Sequence, residues 1–375
     1  MAKIALIESK PSRNDYVRLF DNQFDFDQFQ LCSDPTVKKV LKRDCDIDIN
    51  VDDYDWVILI GSECLKFYTK QSSVTEYSGR VIDDKFLPVI NPAMLAFKPE
   101  AKKTWEESVS NISKYVKGEL KVAKLGSDKA YGIQDTEQFI EFLNKALEAP
   151  YDFIALDSET TGLYPRDGYM LGLSISYEPD HGAYIDTDCI DERVEELLQE
   201  LFIKKRVVFH NAKFDLAFFE YHFGFKFPRF EDTMLLHYML DENPGTHGLK
   251  QLSLKYTPYG DYEKPMYDWM AEYCRRNGIL KNQFTWDMIP FDIMKDYAAL
   301  DAVCTFLLFQ KFEKPLLTNE RLYGVYRDIL IPGCRFLTDI QDIGVPFDKE
   351  RLEKSSVLMQ EDIDEAIAKL YTYPE

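Results

Sequence analysis

The chain has 375 residues, 45% of them hydrophobic, and a formal net charge of −20, which is enough chain and enough apolar content for two or three domains with real cores. That charge excludes a protein that grips long duplex through clustered lysine and arginine, but leaves room for a site holding a few nucleotides of single strand through metal ions, aromatic stacking and local basic groups. Seven scattered cysteines, odd in number and without a CxxC pair, exclude a disulfide framework and a zinc ribbon. No run approaches a membrane span, and the apolar stretch in MAKIALIESK is too short for a signal peptide, so a cytoplasmic protein without a membrane partner is expected.

In chain order, KIALIE opens as a short strand. After charged and aromatic segments, DWVILI followed by Gly61 reads as a buried parallel strand entering a helix through a glycine turn. Further on come a hairpin, a strand ending at Asn91 and Pro92, and a helix rich in lysine and glutamate. A small α/β domain over residues 1–114 is the expected outcome. The polar, lysine-rich residues 115–129 are the expected linker. GSECL, at the glycine turn, lacks the second glycine, the lysine and the hydroxyl of a phosphate loop.

From Ala130 the pattern changes. QDTEQFIEFLNKALEA is an amphipathic helix with Phe139, Phe142, Leu143 and Leu147 near one face. It leads into YDFIALDSETTGL, an apolar strand that runs straight into Asp157 and Glu159. Strand alternation points those two carboxylates the same way. Convergent carboxylates repel each other; a divalent cation relieves the repulsion, and all-oxygen ligands suit magnesium or manganese rather than zinc.

LGLSISY and GAYIDT continue as an antiparallel meander, and DERVEELLQELFIKK is a helix whose cationic end suits its dipole. RVVFHNAKFD is a second apolar strand, ending in a polar turn with Asp215 near the start of an aromatic helix. Asp232 then opens a helix as its N-cap, Pro244 and Gly245 break it, and HGLKQL begins another. In DYAALDAVCTFLLF, Tyr297 and Asp301 lie one helical turn apart, which places the phenol to orient a water activated by a metal at Asp301. The pairs Asp46/Asp48 and Asp186/Asp188 have no partner motifs and read as solvated turns.

Asp157, Glu159, Asp215 and Asp301, with Tyr297, resemble the DEDD exonuclease signature in its tyrosine subclass, the pattern of 3'-5' proofreading nucleases and ribonuclease D relatives. DSET alone is common; the three motifs in this order are not. The resemblance implies a ribonuclease H-like α/β fold, a mixed sheet flanked by helices, over residues 130–318. It also implies two Mg2+ or Mn2+ ions: Asp157 bridging both, Glu159 and Asp301 completing the first, Asp215 supporting the second through water, and Tyr297 positioning the nucleophile. Leu163 matches a position that wedges against the terminal base, and Asn211 one that contacts the terminal nucleotide; His210 is read as a terminal-hydroxyl contact or a structural hydrogen bond.

Residues 322–370, with the turn IGVPFD, resemble the segment joining the proofreading and polymerase domains of family A DNA polymerases. Residues 319–375 are then a helical lead into a polymerase domain, downstream or in a separate chain. Residues 61–65, Gly79 with Arg80, and residues 88–95 resemble the later half of a uracil-DNA glycosylase fold, and this front end is similar to that of bacteriophage-type members. Asn91 stands where that fold's loop carries histidine, so the front domain is expected to be a docking module for a replication protein or template strand without base-excision activity. The expected function is the 3'-5' proofreading exonuclease portion of a DNA polymerase, acting on single-stranded or primer-template DNA in the cytoplasm, of the host if phage-encoded. A free-standing exoribonuclease and a silent nucleic-acid-binding scaffold are the alternatives; IGVPFD and the front domain weigh against the first, the intact acidic set against the second.

Overall fold

A computed structural model describes residues 2–69, 71, 73–98, 101–120, 130–243, 245–259 and 261–372. The front of the chain forms β1 (Ile4–Glu8), α1 (Tyr16–Leu19), β2 (Asp27–Gln30), β3 (Trp56–Ile60), α2 (Gly61–Tyr68), α3 (Val74–Tyr77), β4 (Phe86–Val89) and α4 (Ala101–Val116). Its four strands make an all-parallel sheet in the order β2-β1-β3-β4. The unbroken apolar runs of β1 and β3 follow from burial on both faces. Ile4 and Leu6 pack toward Trp105, Val109 and Ile112 of α4, while Ala5 and Ile7 pack toward Cys64 and Leu65 of α2. Tyr115, Val116 and Leu120 pack with the α4 side of this core; most of the expected linker, residues 121–129, lies outside the described residues.

The second unit contains β5 (Ala130–Ile133), α5 (Thr136–Glu148), β6 (Phe153–Thr160), β7 (Met170–Glu178), β8 (His181–Asp186), α6 (Glu192–Lys204), β9 (Arg206–Phe209) and α7 (Ala212–Phe223). It continues through β10 (Phe230–Asp232), α8 (Thr233–Leu240), α9 (Leu249–Tyr256), α10 (Lys264–Asn277) and α11 (Phe291–Leu317). The expected break at Pro244 lies outside the described residues. Six strands form one mixed sheet in the order β10-β9-β6-β7-β8-β5. Only β7 runs antiparallel to its neighbours, so the sheet has the ribonuclease H-like form expected from the sequence.

Strand alternation sorts β6 between two cores. Ile154 and Leu156 face the layer made with α5, α6 and α7, whereas Phe153 and Ala155 face α11. The Phe153 ring stacks on Phe306 of α11 at 4.5 Å between centroids. Close contact between α11 and the sheet depends on Gly182 of β8, where a Cβ would lie 2.5 Å from the Ala299 carbonyl.

Beyond α11 come α12 (Glu320–Val325), a π-helical turn (Tyr326–Leu330), α13 (Ile331–Ile343) and α14 (Lys349–Leu370). Helix α13 docks on α7, where Arg335 Nη2 donates to Glu220 Oε2 at 2.9 Å and Lys213 Nζ donates to Gln341 Oε1 at 2.7 Å. Helix α14 has no buried residue. All seven cysteines are free thiols, and no described helix is long and apolar enough to cross a membrane.

Candidate active site

The parity that sends Phe153 and Ala155 toward α11 also sends Asp157 and Glu159 there, at the strand's open end. A register shift between Glu159 and Thr160 in the β6–β7 pairing releases the chain just after the second acid. Helix α11 presents Asp301 to the same spot. One carboxylate oxygen from each of Asp157, Glu159 and Asp301 falls within 4.8 Å of the others. Tyr297, one turn before Asp301, is buried beside them.

Asp215 approaches from the opposite face of the sheet. Ser158, between the two strand acids, points toward α7, and both its backbone N–H and its hydroxyl donate to Asp215 Oδ1, at 3.0 and 2.6 Å. The fourth acid is therefore anchored to the same strand segment rather than joined to the group of three. Burial pushes the Asp215 carboxyl up to about 7, with the Ser158 hydrogen bonds pulling the other way. Burial also raises Asp157 and Glu159 well above the usual carboxylate range; the neighbouring carboxylates add to this, and Lys250 opposes it. These groups lack enough positive charge to stay ionised together. An all-carboxylate donor set in that condition fits a hard divalent cation.

The eight site residues named from the sequence line one cleft of about 410 Å³: Asp157, Glu159, Leu163, His210, Asn211, Asp215, Tyr297 and Asp301. That volume suits a small ligand or a chain end. Leu163 sits in the turn after β6 with 76% of its surface exposed, an apolar side chain standing free at the mouth of an acidic pocket. Asn211 adopts left-handed backbone, φ +69°, a conformation asparagine tolerates better than most residues. The turn is held by Asp232, whose carboxylate accepts from Asn211 N at 3.2 Å and Ala212 N at 2.9 Å. Asp232 also accepts from Met234 N at 2.8 Å and Leu235 N at 3.3 Å, the N-cap expected of it. His210 Nδ1 pairs with Thr233 Oγ1 at 2.8 Å. Burial pushes this imidazole down to about 3, so it is neutral at physiological pH.

Two partners of the site were not legible in the sequence. Lys250 of α9 ion-pairs with Asp301 Oδ1, and the Tyr262 hydroxyl donates to the same oxygen. The ammonium also donates to Tyr262 Oη at 3.1 Å and lies 4.3 and 4.6 Å from the ring centroids of Tyr297 and Tyr262. Burial works against the Lys250 charge, but Asp301, with Glu263 and Asp157, outweighs it and holds its pKa above the ordinary lysine value. Among the described residues lining the cleft, Lys250 supplies the only lysine or arginine side chain. The GLKQL turn marked a helix start, but nothing local placed its lysine on Asp301.

Residues 131–317 match a family described as 3'-5' exonuclease. The chain is 37% identical over 391 residues to the DNA polymerase of Escherichia phage T5, spanning 100% of this chain and 46% of that protein. It is 24% identical over 368 residues to the DNA polymerase of Bacillus phage SP01, spanning 88% of this chain and 38% of that protein. The chain thus spans less than half the length of these relatives. Among solved structures, the Pol domain of Pol1 from M. smegmatis, in complex with DNA primer-template and dNTP, superposes with a TM-score of 0.44 at 17% identity, covering 64% of this chain and 37% of that one.

Proposed function

Because residues 131–317 belong to the 3'-5' exonuclease domain family of the family A DNA polymerases, we propose that the acidic cleft removes nucleotides one at a time from the 3' end of single-stranded DNA, using two Mg2+ or Mn2+ ions. The observation that carries this reading is the convergence of Asp157, Glu159 and Asp301 within 4.8 Å, with Asp215 anchored behind them and exposed Leu163 in front. Asp157, Glu159 and Asp301 would hold the cations directly, and Asp215 would act through water. The ions supply electrostatic activation of the attacking water and stabilisation of the leaving 3'-oxygen.

The chain's own residues supply the rest. Leu163 wedges against the last base and keeps the end unpaired. Asn211 meets the terminal nucleotide from its left-handed turn, and neutral His210 stays available as a hydrogen-bonding group. Tyr297, whose ring is fixed under the Lys250 ammonium, aims its hydroxyl at the attacking water. Hydrolysis proceeds without a covalent enzyme intermediate.

Two further assignments belong to the same reading. Helix α14 exposes Leu352, Met359, Ile363, Ile367 and Leu370 along one side, and this apolar face is the surface against which a polymerase domain, in the same or a separate chain, packs. Residues 1–114 serve as a docking module for a replication protein and carry no base-excision activity. In support, the Asn91 side chain accepts from Ala93 N at 2.9 Å and caps the turn that follows it.

The test is incubation of the full chain with 5'-labelled single-stranded DNA and RNA in Mg2+ or Mn2+. Stepwise shortening of DNA from the 3' end is expected. Faster shortening of RNA would replace the proofreading reading with an exoribonuclease.

A further inference from the structure

We propose that Arg80 of the front domain is a positioning residue for the exonuclease site, acting through Asp261 and Tyr262 on Asp301. The proposal rests on the reading of that site given above.

The chain of contacts begins at Gly79. Its φ of +78° suits glycine, and a Cβ there would lie 2.7 Å from Ser108 Cα. Its N–H also donates to the Pro88 carbonyl at 2.8 Å. The backbone at residues 79–80 is thus pressed between β4 and α4, and the direction in which Arg80 leaves it is fixed. Arg80 Nη1 lies 3.6 Å from Asp261 Oδ2 and 4.0 Å from Glu263 Oε1, with the acidic side chains only 12% and 15% exposed. Carboxylates buried to that degree need a cation, and Arg80 is one.

Other groups of the front domain grip the same segment. The Tyr115 hydroxyl hydrogen-bonds the Asp261 backbone. Lys114 Nζ donates to the Lys255 carbonyl at 2.5 Å, and Leu254 packs into the core formed with α4. Residues 254–255 and 261–263 are therefore both held from the front-domain side.

What this segment carries is the hold on Asp301. Tyr262 lies between the two acids that Arg80 faces, and its hydroxyl donates to Asp301. Lys250, which pairs with the same oxygen, lies one turn before Leu254 on α9. Among the described residues, the two side chains that hydrogen-bond the Asp301 carboxylate thus lie within or next to what the front domain braces: Tyr262 between the two acids, and Lys250 one turn before Leu254. If residues 261–263 shift, the phenol loses its register with Asp301, and the cation site loses its preorganisation.

The test uses the full chain with Arg80→Met, Arg80→Lys and Asp261→Asn. Two quantities are read: Mn2+ affinity without DNA, by electron paramagnetic resonance, and kcat and KM on single-stranded DNA. Arg80→Met should weaken Mn2+ binding and lower kcat by about fivefold each, the factor that one partly exposed ion pair carries, with KM within twofold. Arg80→Lys should restore most of both. In the Asp261→Asn background, Arg80→Met should add little, because the two act in one chain. The proposal is overturned if folded Arg80→Met keeps Mn2+ affinity and kcat within twofold of wild type. It is equally overturned if that variant only lowers the unfolding midpoint, as plain interdomain glue would. Should Arg80→Met not fold, Asp261→Asn tests the same link by the same readouts. If the wild-type chain cleaves no DNA, the exonuclease reading fails, while the Mn2+ comparison still decides this proposal.

Discussion

Divalent metal binding to this chain should release protons, in an amount set by the buried carboxyls. Asp215 has its pKa pushed up to about 7 by burial, so at pH 6.5 it is protonated in roughly three-quarters of the metal-free molecules. Burial and the acids around them shift Asp157 and Glu159 in the same direction. A cation takes ionised carboxylates, so binding expels these protons. The sign follows: affinity is weak at low pH and climbs as pH rises through about 7, by roughly a factor of ten per pH unit for each proton released. Isothermal titration of Mn2+ into the full chain at pH 6.5, in two buffers of different ionisation enthalpy, counts the protons directly. Asp215→Asn should reduce the count by roughly three-quarters of a proton, because the amide has none to give. Equal heats in the two buffers for wild type would refute the reasoning, as would an unchanged count in Asp215→Asn.

Three substitutions separate the roles of neighbouring residues. Tyr297→Phe keeps the ring beneath Lys250 and should leave Mn2+ affinity intact while lowering kcat by about two to three powers of ten, the span of a positioned acid-base group; a loss as complete as that of Asp157→Ala would make the phenol more than an aligner. Leu163→Ala removes an exposed side chain, so the unfolding midpoint should not move, but kcat on primed substrates should fall about tenfold more than on short single strands, on the scale of burying one leucine against a base; equal effects on both would remove its role as a wedge. Asp232→Ala leaves four backbone N–H groups without their acceptor and should cost about 2 kcal/mol or more in urea unfolding; a loss of Mn2+ binding with unchanged stability would instead make it a ligand.

The acids were legible because regular structure converts spacing into direction. Alternation along IALDSE places Asp157 and Glu159 on one face, and one helical turn aligns Tyr297 with Asp301. The six-stranded sheet was legible in its central strands, where unbroken or alternating apolar residues betray burial. Its edge strands β5 and β10, four and three residues long, were not, and neither was β2 at one edge of the front sheet, which reads DQFQ and is exposed or half-buried along its length; the other front edge, β4, is buried and apolar and was legible. An edge strand is paired on one side only and needs no apolar pattern. Lys250 and Tyr262 were illegible for another reason: their meeting at Asp301 is made by the packing of α9 and the following segment against α11, at separations of 51 and 39 residues. Ser158 stood in plain view between the two acids, but its bond to Asp215 exists only because α7 covers the opposite face of β6.

The measurement that tests the central claim most directly is digestion of a 5'-labelled single strand by the full chain and by Asp157→Ala, in Mg2+ and again with the metal chelated. The wild-type chain should produce a ladder receding from the 3' end one nucleotide at a time, and both the substitution and chelation should abolish it. A ladder of equal strength from Asp157→Ala, or none from a folded wild-type chain that binds Mn2+, would contradict the assignment of this cleft.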